Sequence, residues 1–261
     1  MRLTVIALLV GQASACLAQM PQVENARLET RVLNESLGKA MARISGTAWA
    51  GYEMPAHGRS QYGCWSDVYT HTSNRGTAYL EGERRFYLLY RFENGAVDKI
   101  RFYSPGCTLD AGGLSLTWFT GVKPEDSVAY LEGLVGGERH KGAIAAIAQH
   151  EASNAVAALL RAAKQNPSTS VRRDALFWMS QRAGEQLAAA IKASAESDPD
   201  TGVKKQAVFA LSQLPKSEGV PLLIELARSN RNPEVRKQAI FWLGQSNDPR
   251  ALEFIEAVLT K

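Results

Sequence analysis

The sequence predicts an α+β protein in which a small N-terminal antiparallel β domain precedes a C-terminal α-solenoid of about four helical hairpins. Two observations carry this. A passage recurs every 32 residues, reading VRRDALFWMSQ at 171–181, VKKQAVFALSQ at 203–213 and VRKQAIFWLGQ at 235–245. Between Thr47 and Gly121, by contrast, helical periodicity disappears and aromatic and β-branched residues gather in short runs broken by Gly, Pro and Asn. One interval upstream of the first copy, RHKGAIAAIAQ at 139–149 keeps Ala143 and Gln149 in phase and makes a fourth. Self-similarity at this period marks stacked units, none of which can bury its apolar side alone. The expected boundaries are a leader over 1–18, an amphipathic helix over 19–45, the β domain over 46–121 and the solenoid over 122–261.

Each repeat reads as a helical hairpin. Val235, Ala239, Trp242 and Leu243 follow the i, i+4, i+7, i+8 spacing of one helix face, and Val203, Ala207, Ala210 and Leu211 repeat it one copy earlier. Second helices are expected over Glu185–Ala195, Val220–Arg228 and Arg250–Leu259. The connectors Asn166-Pro167, Asp198-Pro199, Asn232-Pro233 and Asp248-Pro249 pair a side chain that caps free amides with a residue that cannot continue a preceding helix. Near Pro124, Asp126 is expected to cap a helix through Leu134 that covers the first repeat.

Asn232-Pro233-Glu234-Val235-Arg236, followed by Ala239 and Trp242-Leu243-Gly244, resembles the short HEAT repeats of the type seen in phycobilin lyases. The resemblance covers roughly residues 123–261. It implies an α-solenoid and says little of function, because such arrays serve as scaffolds, adaptors and enzyme accessory modules. Trp178 and Trp242 stand where the family carries a small residue, with Ala210 between them. Those units are therefore expected to space their helices more widely or to rotate the first one.

The N-terminus reads as an export signal. Arg2 precedes an apolar run from Leu3 to Val10 and small residues ahead of a cut after Ala18, which leaves Gln19 as the new end. Ala13-Ser14-Ala15-Cys16 also resembles a lipoprotein signal, with Cys16 as the acylated residue. No stretch approaches the roughly 20 apolar residues needed to span a bilayer. With Cys16 removed or capped, Cys64 and Cys107 remain as a pair, and a disulfide is expected in an oxidising compartment. Closing that loop contributes about 4 kcal/mol in the chain-entropy model. The competing reading, a metal held by both cysteines with His57 or His71, lacks any compact ligand spacing.

Within the β domain the clearest element is a hairpin. Arg85–Phe92 and Val97–Tyr103 flank Asn94-Gly95, and both turn residues tolerate the positive φ of a type I′ turn. Phe86, Leu88, Tyr90 and Phe92 are expected to share a face, with Ile100 and Phe102 opposite. Weaker strand candidates are Thr47–Tyr52, Thr77–Glu81 and Leu114–Phe119. Upstream, Leu28, Val32, Leu33, Leu37, Met41 and Ile44 recur mostly three or four apart, which predicts an amphipathic helix from about Val23 to Ile44, stopped by Gly46.

Motifs for chemistry are scarce. No Gly-rich phosphate loop, nucleophile elbow or dinucleotide fingerprint is present. His150-Glu151-Ala152-Ser153-Asn154 starts like a zinc-protease helix but has Asn154 in place of the second ligand, and the histidines are expected at the surface or in turns. Asp110-Ala111-Gly112-Gly113 reads as a turn, with a functional loop as the alternative. No cofactor or metal is expected. A formal net charge of +4, from 30 basic and 26 acidic residues that are interleaved, does not favour a nucleic-acid partner.

One stripe remains. Arg173, Lys205 and Lys237 recur at one repeat position, with Phe177, Phe209 and Phe241 four residues later. At about 100° per residue from Val171, the core positions lie between about −20° and +80°, while Arg173 and Phe177 lie near ~200° and ~240°. Two readings stand: packing between successive repeats, or an exposed ridge for a partner. Gln149, Gln181, Gln213 and Gln245 are expected to form a buried hydrogen-bond ladder. The second helices vary between copies, with Glu185 and Lys192, then Glu225 and Arg228, then Glu253 and Glu256. The expected function is non-catalytic protein recognition by an exported scaffold or adaptor, periplasmic or extracellular. An accessory subunit of an envelope enzyme and a hydrolase seated in the β domain are the alternatives.

Overall fold

A computed structural model describes residues 20–57, 64, 84–136, 140–182 and 185–260. The leader readings, His71 and the Thr77–Glu81 strand lie outside them. The chain opens with β1 (Gln22–Glu24), β2 (Arg27–Val32), α1 (Leu37–Met41), β3 (Ala48–Pro55), β4 (Arg85–Glu93), β5 (Ala96–Tyr103), β6 (Thr108–Asp110) and β7 (Ser115–Thr120). Helices follow: α2 (Pro124–Leu134), then the pairs α3 (His140–Gln149) and α4 (Ala155–Gln165), α5 (Thr169–Arg182) and α6 (Glu185–Ser197), α7 (Thr201–Ser212) and α8 (Lys216–Ser229), α9 (Pro233–Gln245) and α10 (Pro249–Leu259).

The expected N-terminal helix is corrected. Residues 22–32 form β1 and β2, separated at Asn25 with φ 53°, and only Leu37–Met41 is helical. Leu28, Thr30 and Val32 alternate with Arg27, Glu29 and Arg31, a period of two that the i, i+4 spacing of Leu28 and Val32 conceals. The ladder with β7 decides between the two periods. Downstream, Leu37, Met41 and Ile44 are buried as the helical reading required.

The sheet is mixed rather than wholly antiparallel. Its order is β2-β7-β3-β4-β5, with β7 parallel to both β2 and β3, and the antiparallel part confined to β3-β4-β5. Periodicity reveals that a strand exists and not which neighbour it finds. The hairpin forms in the expected register, with Tyr90 opposite Ile100, Leu88 opposite Phe102, and Asn94 and Gly95 at φ 53° and 76°. Phe86, Leu88, Tyr90 and Phe92 join Ala50, Tyr52 and Met54 in the core beneath the helices. Tyr87 and Leu89 face the other way onto Trp118, Leu116 and Leu109, so β4 is covered on both sides. Gly51 permits this, since a Cβ there would stand 3.0 Å from the Leu88 carbonyl oxygen and 3.1 Å from the Trp118 ring.

Cys64 and Cys107 are disulfide-bonded, their Cα atoms 5.4 Å apart across 43 residues of chain. The Asp110–Gly113 segment is a turn: Asp110 Oδ1 accepts from the Gly112 amide at 2.8 Å, and both glycines have positive φ.

First helices stack on first helices, α3 through α5 and α7 to α9, and second helices on second helices from α4 to α10. α2 caps the first repeat, with Lys123 as its N-cap residue and Pro124 at the first helical position. Asp126 sits inside the first turn and makes no cap there. The expected glutamine ladder is corrected. Gln149 is buried, whereas Gln181, Gln213 and Gln245 are exposed at helix ends. The repeated polar tie is instead the Asx turn: Asn166, Asp198 and Asn230, 32 residues apart, each accept from the amide two residues on, at 3.0, 2.9 and 3.0 Å. Arginine completes it. Arg172 clasps buried Asp198 through Nε at 2.8 Å and Nη2 at 3.0 Å while donating to the carbonyls of Asn166 and Pro167, and Arg236 donates likewise to those of Asn230 and Arg231.

Candidate functional site

The aromatic stripe is placed by the packing of the first helices. Leu176 and Val208, one position before Phe177 and Phe209, are fully buried, whereas their counterpart Ile240 is exposed. Phe177 and Phe209 are half-buried and Phe241 is 54% exposed. They lie with the two tryptophans along one flank: Phe177 is 5.3 Å from Trp178 and Phe209 5.1 Å from Trp242, which also meets Phe241 at 5.0 Å. Trp178 and Trp242 are part-buried at the margin of the core. Ala210, standing between them in the repeat, is fully buried. Arg173 and Lys237 are exposed, and Lys205 is half-buried with its Nζ 3.9 Å from Glu234. The three rings and three cations of the stripe are thus all at least partly open to solvent.

A second constellation was not legible in the sequence. At the junction of sheet and solenoid, Tyr90 on β4, Tyr52 on β3, Ser127 on α2 and His150 at the end of α3 form a hydrogen-bonded chain, with contacts of 2.7, 2.8 and 2.7 Å. All four are fully buried, which for His150 corrects the expectation of a surface or turn position. His150 Nδ1 lies 2.7 Å from the Ala146 carbonyl and must donate to it, so Nε2 is the acceptor. The chain then has one direction: Tyr90 donates to Tyr52, Tyr52 to Ser127, and Ser127 to His150.

Burial sets the ionisation of these groups. Loss of solvent pushes the His150 imidazole down to about 4 against the lesser effect of the Ala146 carbonyl, and the Arg182 charge adds to the lowering. Desolvation drives the Tyr52 and Tyr90 hydroxyls well above the ordinary tyrosine range and neighbouring Tyr130 up to about 12. The network is neutral throughout the physiological range. Its serine and histidine have the spacing of a nucleophile and base, but no substrate carbonyl can reach a serine that is sealed on every side. Its role is to join elements.

Backbone contacts continue that junction. Ala56 pairs with His150 as an isolated bridge, His57 donates its amide to Gln149 at 2.7 Å, and Glu151 donates to Pro55 at 3.2 Å. Arg182 Nη1 donates to the Ala148 and His150 carbonyls at 2.9 and 2.8 Å, satisfying the orphan end of α3 from the next repeat. No group of three His, Cys, Asp or Glu that could hold a metal ion occurs among the described residues. Likewise, no described helix is long and apolar enough to cross a membrane.

Residues 187–261 match the family model for HEAT repeats. No curated protein matches the chain. HEAT repeats are generally protein-interaction scaffolds, and residues 187–261 are similar to them.

Proposed function

We propose that this protein is an exported, non-catalytic adaptor that holds another protein along the first-helix flank of its solenoid. The observation that carries the reading is the stripe itself: Phe177, Phe209 and Phe241 with Arg173, Lys205 and Lys237 repeat one chemistry at one position and are all half-exposed or exposed. Aromatic anchors beside cations suit a partner segment that carries apolar and acidic side chains. Export rests on the leader, with cleavage after Ala18 or acylation at Cys16, and on the Cys64–Cys107 bond, which suits an oxidising compartment.

Affinity capture from a native envelope fraction tests this, with wild type compared against F177A, F209A and F241A combined. The adaptor reading expects a discrete partner that is retained by wild type, weakened by added salt and lost by the triple variant while its cooperative unfolding persists. Retention of the partner by the triple variant contradicts the assigned surface, and turnover of ester or peptide substrates by the purified protein contradicts the non-catalytic role. Intact mass of the mature protein distinguishes a start at Gln19 from an acylated Cys16.

A further inference from the structure

The edge of the sheet at β2 carries a pattern that is complementary to itself. β2 ends the strand order β2-β7-β3-β4-β5, no described strand lies on its other side, and every one of its residues is exposed, Leu28 at 38% and Val32 at 67%. Which backbone groups point outward follows from the ladder with β7. Leu33 donates its amide to the Thr120 carbonyl at 2.9 Å, and successive residues of a strand turn their N–H and C=O groups to opposite sides, so Arg27, Glu29, Arg31 and Leu33 address β7. Leu28, Thr30 and Val32 therefore hold their N–H and C=O groups toward the free edge. Side chains alternate as well. Leu28 and Thr30 stand beside Leu116 and Trp118 of β7, on the face of the buried Trp118 cluster, while Arg27, Glu29 and Arg31 stand on the other face.

From this edge we propose that two copies of the chain pair through β2, antiparallel across a two-fold axis at Thr30, which joins their sheets into one. With Thr30 opposite Thr30 of the other copy, Leu28 faces Val32 in a hydrogen-bonded pair, and every outward N–H and C=O of both strands finds a partner. Glu29 then faces Arg31 at the closer, non-hydrogen-bonded position, in addition to the pair that the two residues already make along their own strand at 2.7 and 2.9 Å. The four charges alternate in sign around the axis. A register centred on Glu29 would oppose that residue to itself and Arg27 to Arg31, and one centred on Arg31 would oppose that arginine to itself. A register centred on Leu28 would set Arg27 against Glu29, but it has to run through Asn25, whose φ of 53° ends the extended run. Charges on an edge strand ordinarily discourage pairing. Here their alternation permits it in one register.

The size of the contact sets its strength. Residues 27–33 span about 23 Å of strand, and two such strands meet over an area at the low end for a specific interface. The dimer is therefore concentration-dependent, forming in the micromolar range, and it uses none of the residues of the solenoid stripe.

Sedimentation equilibrium of the full-length mature protein, from about 1 to about 200 µM, reads this directly. The mass should rise from monomer toward dimer across that range. T30P removes an outward N–H from each strand without touching the ladder to β7, and should raise the dissociation constant at least about tenfold. E29R and R31E should each weaken the dimer, and E29R with R31E should restore it, because opposite charges then face each other again. F241A, on the solenoid, should leave it unchanged. A monomeric mass at every concentration, which would leave the edge to an extended segment of another protein, overturns the inference. So does a dimer indifferent to T30P, or a double charge reversal that fails to restore association. Circular dichroism melts of each variant confirm that it is the folded chain being weighed.

Discussion

The two ends of the solenoid are finished in opposite ways. At the N-terminal end the first repeat is joined to a five-stranded sheet through a core that runs from Phe86 and Tyr90 to Ile144 and Ile147 without a break, and a four-membered polar chain is sealed inside the joint. In the last described repeat the same stacking positions carry apolar side chains that no described residue covers. The first repeat is closed by an unrelated fold, whereas α9 and α10 keep the side-chain chemistry of an interior layer.

The sharpest way to break the closed end is at His150. H150A removes a buried ring stacked edge-on to Phe86 at 5.1 Å and leaves the Ser127 hydroxyl without its acceptor. Urea unfolding should show a loss of about 3–5 kcal/mol from cavity and unsatisfied donor together. A loss below about 1 kcal/mol would mean that the chain does not join the halves.

Acid acts on the same residue more gently. The folded-state value of about 4 lies below the 6.5 of the accessible imidazole, so the unfolded chain binds the extra proton between them. Stability from this group is complete above about pH 6.5 and is lost as pH falls toward 4, by about 3 kcal/mol in all. The wild-type stability curve should therefore fall more steeply than that of H150N over this window, and parallel curves would remove His150 as the cause.

Inside the array, the comparison can be made at one position. Gly219 and Ala251 are counterparts, both buried, but a Cβ at Gly219 would overlap the Leu211 carbonyl oxygen whereas the terminal repeat already accommodates one. G219A should cost about 2 kcal/mol in chemical unfolding. Next in size, Y90F deletes one donor from the polar chain and should cost about 1 kcal/mol. In α10, L252E should change stability by less than about 0.5 kcal/mol, because that side chain is 59% exposed.

What the sequence discloses follows from how far its signals reach. The repeats and the Asn94-Gly95 hairpin were legible because their periods and turn chemistry are local. The N-terminal strands were not, since Leu28 and Val32 satisfy both a helical and an alternating pattern and the parallel ladder with β7 lies some 88 residues away in sequence. The polar chain joins residues separated by 38, 75 and 23 positions, and no spacing rule ties two tyrosines, a serine and a histidine together. The stripe of Arg173, Phe177 and their repeats was visible as a pattern, but which residue fills the helix contact depends on rotation. Leu176 and Val208 are the fully buried neighbours, and the phenylalanines one position on are left partly exposed.

The contrast between the first and last described repeats is tested most directly by amide hydrogen exchange. Exchange in α2, α3 and β4 should be slow, because those amides open only with the whole fold. Exchange in α9 and α10 should be faster, because fewer described side chains pack on them. Protection in α10 as deep as in β4 would contradict the account.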